Sequence, residues 1–417
     1  MLEFTDNLVY NISLIIQISV FVVGCYFFSI SIIGLAKKDT SKNILQIPQK
    51  KFALVVAAHN EEFVISQIID SLKEQNYPKK LYDIYVIADN CTDNTSRIAR
   101  DCGAIVYERS DILKKGKGYA LDWIFSKIIA MGDKYDAVCI FDADNVVSSS
   151  FLIEINNKLV HGYEAIQGYI DSKNPFDSWI TCSYSIAFWL ANRMFQFPRH
   201  KLGLSCSLCG TGFCITVNIL KKVGWGATCL TEDLEYTMKL ALSNIKVAWA
   251  QNAIVYDEKP ISLRQSWNQR KRWMQGHADC ATRFLKPLFN KAFIEGNLVA
   301  FDCSIYLFQP VRFIFIGIIT MIMWIQTIFP KSPFYNFKYA FPYKIWLIFI
   351  LFQILYGPII ILFDKKLDKK LLLGFLLYPL YCITWLPITI QGFLNKNNKL
   401  WSHTLHTRGL SITDLEK

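Results

Sequence analysis

Ala137-Val138-Cys139-Ile140-Phe141-Asp142-Ala143-Asp144-Asn145 is an apolar run that stops in two carboxylates and an amide. A short continuous apolar run reads as a strand buried on both faces, as in a parallel sheet covered by helices. Its acidic end matters because such sheets take ligands beyond the carboxyl ends of their strands. The pattern recurs upstream. Residues 52–57 read as a buried strand passing into Asn60-Glu61-Glu62 and a helix to about Glu74. Residues 83–88 read as another, running into Asp89-Asn90-Cys91-Thr92-Asp93-Asn94-Thr95, a helix start rich in capping residues. Strand, polar turn and helix in repetition predict an α/β domain over residues 51–297.

Outside this domain the chain is too apolar for a soluble protein. Of 417 residues, 52% are hydrophobic and 19% charged, with mean hydropathy +0.24, which excludes a purely soluble or disordered chain. Residues 12–36 carry no charge and are long enough to cross ~30 Å of hydrocarbon. They lack a basic leader and a small-residue cleavage site, and so read as a retained spanning helix. Glu3 and Asp6 precede it while Lys37 and Lys38 follow, which puts the α/β domain in the cytoplasm by the positive-inside rule.

Residues 313–329, 345–363 and 371–394 are likewise free of Asp, Glu, Lys and Arg. Four blocks follow: 1–50, a transmembrane helix and linker; 51–297, a cytoplasmic domain with interfacial helices; 298–394, membrane helices; and 395–417, a basic tail. This is a multi-pass protein of the cell membrane, with residues 179–197 in the headgroup region. One span before the domain and three after it would leave the tail outside. Either 371–394, with Pro379 and Pro387, does not cross, or the tail takes no part in catalysis.

The net charge of +11 is diffuse, which favours anionic lipid or a phosphorylated ligand and predicts no nucleic-acid partner. The 12 cysteines are scattered, as expected of reduced thiols. Cys206, Cys209 and Cys214 hint at a metal or redox group, yet no second CxxC or nearby His completes a zinc set. Nothing in the sequence bears on oligomeric state.

Several residue groups carry chemistry. Asp142 and Asp144 suit a hard divalent ion, Mg2+ or Mn2+, whose other ligands are waters and substrate phosphates; capping is the plainer alternative. Lys114-Lys115-Gly116-Lys117-Gly118 offers cations on a Gly-containing turn, suited to phosphate or simply solvated. There is no GxxxxGK[ST] and no GxGxxG, which argues against ATPase and dehydrogenase readings. Thr231-Glu232-Asp233 sets paired carboxylates before a helix, as a general base or as an acidic first turn. Gln269, Arg272, Trp273, Gly276 and His277 fall on one helical face. That face offers an amide, a phosphate-forking guanidinium, an indole and an imidazole, with His277 a further candidate metal ligand. A basic helix on the membrane surface is the alternative.

Taken in order, Ala58-His59-Asn60-Glu61-Glu62, Asp89-Asn90-Cys91-Thr92-Asp93, Lys117-Gly118, Asp142-Ala143-Asp144, Thr231-Glu232-Asp233 and Gln269-x-x-Arg272-Trp273 resemble the processive membrane glycosyltransferases of family two. These include the cellulose, chitin and hyaluronan synthases and the nodulation-type N-acetylglucosaminyltransferases. The resemblance covers roughly residues 50–280. It implies a GT-A fold, a Rossmann-like mixed sheet, flanked by transmembrane helices and binding a UDP-sugar and a divalent metal. By the same resemblance His59 and Glu61 would line the nucleotide pocket, Asp89 would contact uracil or ribose, and Lys117 would meet the diphosphate. Asp144, with Asp142 toward the sugar nucleotide, would hold the metal. Asp233 would be the catalytic base beside Glu232, and Gln269 and Arg272 would grip the diphosphate. Trp273 would stack on the acceptor sugar, with Gly210 and Thr211 in the acceptor loop. Ala88 departs from the family's frequent aspartate there.

The implied activity is inverting transfer from a UDP-sugar, UDP-Glc or UDP-GlcNAc, to a growing β-linked glycan, with export across the bilayer. A glycolipid synthase with a lipid acceptor is the alternative, and a nucleotide-sensing transporter a remote one. The tail residues Trp401, Ser402, His403 and Thr404 to Arg408 are similar to the tail or gating-loop Trp, Thr and Arg of such synthases.

Overall fold

The chain begins in one long helix, α1 (Leu2–Ile32), and then alternates. The α/β part opens with β1 (Phe52–Ala58), α2 (Ile65–Lys73), β2 (Tyr82–Asp89), α3 (Thr95–Asp101), β3 (Ile105–Arg109) and α4 (Lys117–Ala130). It continues with β4 (Ala137–Asp142), β5 (Val146–Val147), α5 (Phe151–Val160) and β6 (Ala165–Ser172). α6 (Trp179–Ala191) passes through a π-helical turn, Asn192–Gln196, into α7 (Phe197–Lys201). β7 (Phe213–Thr216), α8 (Val217–Val223), α9 (Glu232–Leu242) and β8 (Val247–Asp257) complete the sheet. Then come α10 (Leu263–Ile294), α11 (Leu298–Ile328), α12 (Tyr343–Phe363), α13 (Lys369–Ile383), α14 (Trp385–Leu394) and the short α15 (Ile412–Leu415). This computed structural model describes residues 2–36, 46–329, 342–364, 368–398, 406 and 408–415; Trp401, Ser402, His403 and Thr404 lie outside them.

The eight strands form one mixed sheet in the order β3-β2-β1-β4-β7-β6-β8-β5. β1 to β4 run parallel where they pair, whereas β7 is antiparallel to both β4 and β6. Successive strand residues feed opposite faces, as the pleat requires. Val55 and Ile140 pack under Leu121, Ile124 and Phe125 of α4, while Leu54, Val56 and Phe141 pack under Ile65, Ile68 and Leu72 of α2.

The helix expected from Asn60 starts only at Ile65, because Asn60 turns left-handed with φ 56°. The freed turn laces to the one after β2 instead. Asn60 Oδ1 accepts from the Thr92 amide at 2.8 Å, Glu61 N donates to Thr95 Oγ1 at 2.8 Å, and Glu62 accepts from the Asn94 amide at 3.1 Å.

Asn11–Leu35, Leu298–Ile328 and Lys369–Leu394 are long and apolar enough to cross a membrane. The middle one starts fifteen residues before the predicted 313, since Asp302 and Arg312 do not interrupt helix geometry. The last is divided at Thr384 into α13 and α14.

Buried cations join these helices to the sheet. Arg199 of α7 forks onto Asp302 of α11 at 2.8 and 2.9 Å, and Tyr26 of α1 donates to the same carboxylate at 2.9 Å. Arg193, in the π turn, donates to the carbonyls of Gly34 and Ala36 at 2.6 and 2.8 Å and pairs with Asp364 after α12 at 3.2 Å. Asp302→Ala would strand Arg199 as an uncompensated buried charge. It is expected to destabilise the detergent-solubilised protein by about 3–5 kcal/mol. Tyr26→Phe removes only a hydrogen bond and should cost about 1 kcal/mol. Thermal unfolding of the two variants checks the order.

Candidate active site

The parallel pairing sets the ends of β1, β2 and β4 side by side, with Ala58 opposite Ala88 and Ala57 opposite Asp142. His59, Asp89 and Asp142 therefore meet along one edge although the sequence separates them widely. His59 Nδ1–H donates to the Asp89 carbonyl at 2.7 Å, and Glu61 is buried beside Thr95.

Lys117 opens α4 and reaches across the same edge. Its Nζ bonds the Asp142 carboxylate and, at 2.7 Å, the Gly210 carbonyl. Gly210 is left-handed (φ 81°), and a Cβ there would lie 3.5 Å from Asp233 Oδ2, so the loop passes directly against the first turn of α9. Thr211 Oγ1 accepts from the Asp142 amide at 3.1 Å and donates to Asn145. Gly118 packs close to Glu232, with 3.4 Å between an added Cβ and the Glu232 Cβ. Lys117, Asp142, Gly210, Thr211, Glu232 and Asp233 thus converge.

Charge within this cluster follows from burial. Burial pulls the Lys117 ammonium down, but Asp142, Glu232 and Asp233 outweigh it and hold the lysine above its usual value. Asp142 is raised by burial and by Asp144, against Lys117. Burial also works to raise Asp144, yet His406, Lys173 and the Glu258 amide (2.9 Å to Oδ2) bring it below the ordinary carboxylate range. Asp233 is raised by burial, and Glu232 is pushed up to about 7 by burial and by Asp233.

α10 brings its residues in from the other side. Gly276 makes this approach feasible, since a Cβ there would stand 2.3 Å from Thr231 Oγ1, just ahead of Glu232. Burial lowers Arg272 against the pull of Glu232, Asp142 and Asp233, so its guanidinium faces the acidic cluster. Gln269 accepts from Tyr184 at 2.9 Å. Trp273 packs half-buried beside Tyr184 and Phe188, at 6.0 and 6.3 Å between ring centroids.

One expectation needs correction. His277 is turned away from the carboxylates, against α11: its Nε2 donates to the Leu307 carbonyl at 3.2 Å, and burial pushes the imidazole down to about 4. It fills a helix–helix seam, because eight residues on from Gln269 it lies about 80° round the helix from that residue. The thiols of the CxxC stretch each have a separate partner. Cys206 donates to the Gln196 carbonyl, Cys209 to that of Ser207, and Cys214 pairs across the sheet with Cys139.

Among the described residues no three His, Cys, Asp or Glu side chains gather as a metal set. Asp144 and Asp142 nevertheless suit Mg2+ or Mn2+, which take hard oxygen donors and commonly need only one or two carboxylates beside substrate phosphates.

The sequence reading singled out Arg408 in the tail but missed Glu258, Lys173, His406 and Asp177 around it. Glu258, at the end of β8, accepts from the Arg408 amide at 3.0 Å, and Lys173 Nζ donates to the carbonyls of Asp144 and Arg408 at 2.8 and 3.1 Å. His406 Nδ1 lies 3.0 Å from Glu61, and Arg408 Nε donates to Asp177 at 2.9 Å. The tail therefore reaches the site. Asp257-Glu258 closes an apolar stretch in the same way as Asp142 does, which was a usable signal; His406 and Lys173 offered none.

Residues 48–276, more than half of the chain, match the family described as Glycosyltransferase like family 2. The chain belongs to this glycosyltransferase family. It is 26% identical to the probable glycosyltransferase YdaM of Bacillus subtilis, over 84% of this chain and 83% of that one. It is 22% identical to a poly-beta-1,6-N-acetyl-D-glucosamine synthase of Staphylococcus epidermidis, over 82% of each. Identity to the beta-monoglucosyldiacylglycerol synthase of Nostoc sp. is 27% over 54% of this chain, which spans 48% of that relative. The mannosyltransferase PcManGT from Pyrobaculum calidifontis, solved with GDP-Man and Mn2+, superposes with TM-score 0.61 at 14% identity, covering 93% of this chain and 98% of the other. That likeness establishes the GT-A fold of this glycosyltransferase.

The raised Glu232 has a measurable consequence. Its folded value lies above the 4.5 of an ordinary glutamate. The folded protein therefore holds an extra proton between those two values and loses stability as pH rises through that window. Glu232→Gln is expected to unfold at a higher temperature than the native protein at about pH 8 and to match it near pH 4. Thermal melts at both pH values test this, and an advantage independent of pH would contradict it.

Proposed function

We propose that this glycosyltransferase transfers a sugar, with inversion, from a UDP-sugar to a glycan acceptor at the membrane surface, elongating a β-linked polysaccharide. The observation that carries the reading is the convergence of Lys117, Arg272, Asp142, Asp144 and Asp233 beyond the carboxyl ends of the strands. UDP-Glc and UDP-GlcNAc are the donors favoured. The polymer reading draws support from the Staphylococcus synthase, whose likeness covers 82% of each chain. The Nostoc relative supports a second reading, a lipid acceptor.

Asp233 takes the proton from an acceptor hydroxyl while that oxygen attacks the anomeric carbon opposite the diphosphate. The bond from that carbon to the diphosphate breaks, its electron pair leaves with UDP, and an α-linked donor becomes a β-linkage. Proton removal by a positioned carboxylate is commonly worth ~10²–10⁴-fold. Lys117 and Arg272 meet charge that grows on the leaving group, so their attraction strengthens toward the transition state. A divalent ion held by Asp144 with Asp142 adds, when bound, a Lewis-acid counter-charge on the diphosphate. Gly210 and Thr211 border the acceptor beside the base, and Trp273 offers its ring to an acceptor sugar.

We read residues 51–297 as the catalytic unit, cytoplasmic by the charges around α1. His406 and Arg408 contact that unit, so an even number of crossings follows it. α11 and α12 supply them. α13 and α14, of 15 and 10 residues, are individually short for a bilayer and are held to the catalytic unit. Arg270 donates to Thr384 at 2.9 Å, Trp267 to Gln391 at 2.9 Å and Gln275 to the Asn395 carbonyl at 3.0 Å.

Reconstituted protein with Mg2+ or Mn2+ is expected to release UDP from one of a panel of UDP-sugars. Asp233→Asn should lower transfer by ~10²–10⁴-fold while leaving UDP affinity within about threefold. Loss of UDP binding in that variant would contradict the base role. A detergent-insoluble product selects the polymer, and an organic-extractable one selects the lipid acceptor.

A further inference from the structure

Arg109 has no part in the chemistry above, yet it is among the most enclosed cations of the α/β part. It ends β3 opposite Asp89 of β2 and is 7% exposed. Its guanidinium bonds converge on the rim of the nucleotide pocket. Nη1 donates to Asp89 Oδ1 at 2.6 Å, and Nη2 donates to Asp111 Oδ2 at 3.1 Å and to the Lys114 carbonyl at 2.8 Å.

A buried arginine is costly unless its planar fork is used, and here the fork spans two chain segments at once. One is the end of β2. Asp89 Oδ1 accepts from Arg109 and, at 3.0 Å, from Asn90 Nδ2, whereas among the described residues nothing donates to Oδ2. The other is the loop that leads to Lys117. Asp111 Oδ1 accepts from the amides of Leu113 and Lys114 at 3.0 and 2.9 Å, and the Asp111 amide donates to Asn90 Oδ1 at 2.9 Å.

We propose that Arg109 is a positioning residue that selects the nucleobase of the donor. By occupying Oδ1 it leaves Oδ2 of Asp89 as an acceptor for a base edge that carries an N–H. Through Lys114 and Asp111 it holds the loop that delivers Lys117 to the diphosphate. The inference rests on the nucleotide-sugar reading of the site and deepens it: the base is uracil, whose N3 bears a hydrogen, rather than cytosine, whose N3 is itself an acceptor. A base that leaves Asp89 unpaired forfeits that hydrogen bond and faces a lone pair with a lone pair.

The experiment measures UDP and CDP binding, with Mg2+, to the full chain in lipid nanodiscs by calorimetry, for the native protein, Arg109→Gln and Arg109→Lys. The native protein should bind UDP roughly ten- to a hundredfold more tightly than CDP. Arg109→Gln should lose about tenfold of that preference, through weaker UDP binding with CDP binding little changed. Arg109→Lys, with one ammonium for acceptors on two segments, should fall between.

Equal weakening of both nucleotides, with the ratio intact, would make Arg109 a structural residue and overturn the proposal. A native protein without preference for UDP would overturn the UDP-sugar reading itself, a failure distinguishable because it appears before any substitution. If thermal melts show Arg109→Gln unfolded, the lysine variant decides: a reduced ratio supports the proposal and an unchanged ratio overturns it.

Discussion

Lys117 bonds at once to the Asp142 carboxylate and the Gly210 carbonyl, and in doing so joins α4, β4 and the loop before β7 at one nitrogen. The constraint behind it is the concentration of carboxylates at one edge of the sheet. Asp142, Asp144, Glu232, Asp233 and Asp257 are close enough to perturb one another, and like charges gathered out of water are costly unless countered. The site is accordingly lined with cations drawn from widely separated parts of the chain. Lys117 comes from α4, Lys173 from the end of β6, Arg272 from α10 and His406 from the tail. An anionic ligand entering such a place meets positive charge already arranged.

The same principle governs the join between the sheet and the long apolar helices. The helical stretch from α6 through the π turn to α7 carries Arg193 and Arg199, which hold the ends of α1, α11 and α12 by carbonyls and carboxylates. The turn also places Gln196, whose amide both donates to and accepts from the Ser207 backbone, at 2.8 and 3.1 Å. Ser207 leads directly into Cys209-Gly210-Thr211. The loop beside Asp233 and the long apolar helices are thus braced by one element. A rigid helix is suited to that task, since sites held by regular elements are more precise than those left to loops.

Much of this was legible in local pattern. Residues 52–57, 83–88 and 137–141 announced strands by their largely apolar composition, and each lies inside an observed strand. Asp89 and Asp142 were legible as strand-end carboxylates, and each ends its observed strand. The antiparallel half was harder. β5 is two residues long and β7 four, too short for any periodicity to register. Helical spacing grouped Gln269 and Arg272 with His277, which packs on another side, because a periodic face is a guide to direction only over about two turns.

The sequence by itself determined the residue types at each strand end, the apolar lengths able to span a bilayer and the order of the motifs, all properties of short contiguous segments. Only the tertiary structure decided that Arg109 serves Asp89, that His277 serves a helix seam, and that the tail returns to the site through His406 and Arg408. Each of those depends on which distant residue satisfies a buried charge or donor. Such a choice is made by the packing of whole elements, and no local composition encodes it.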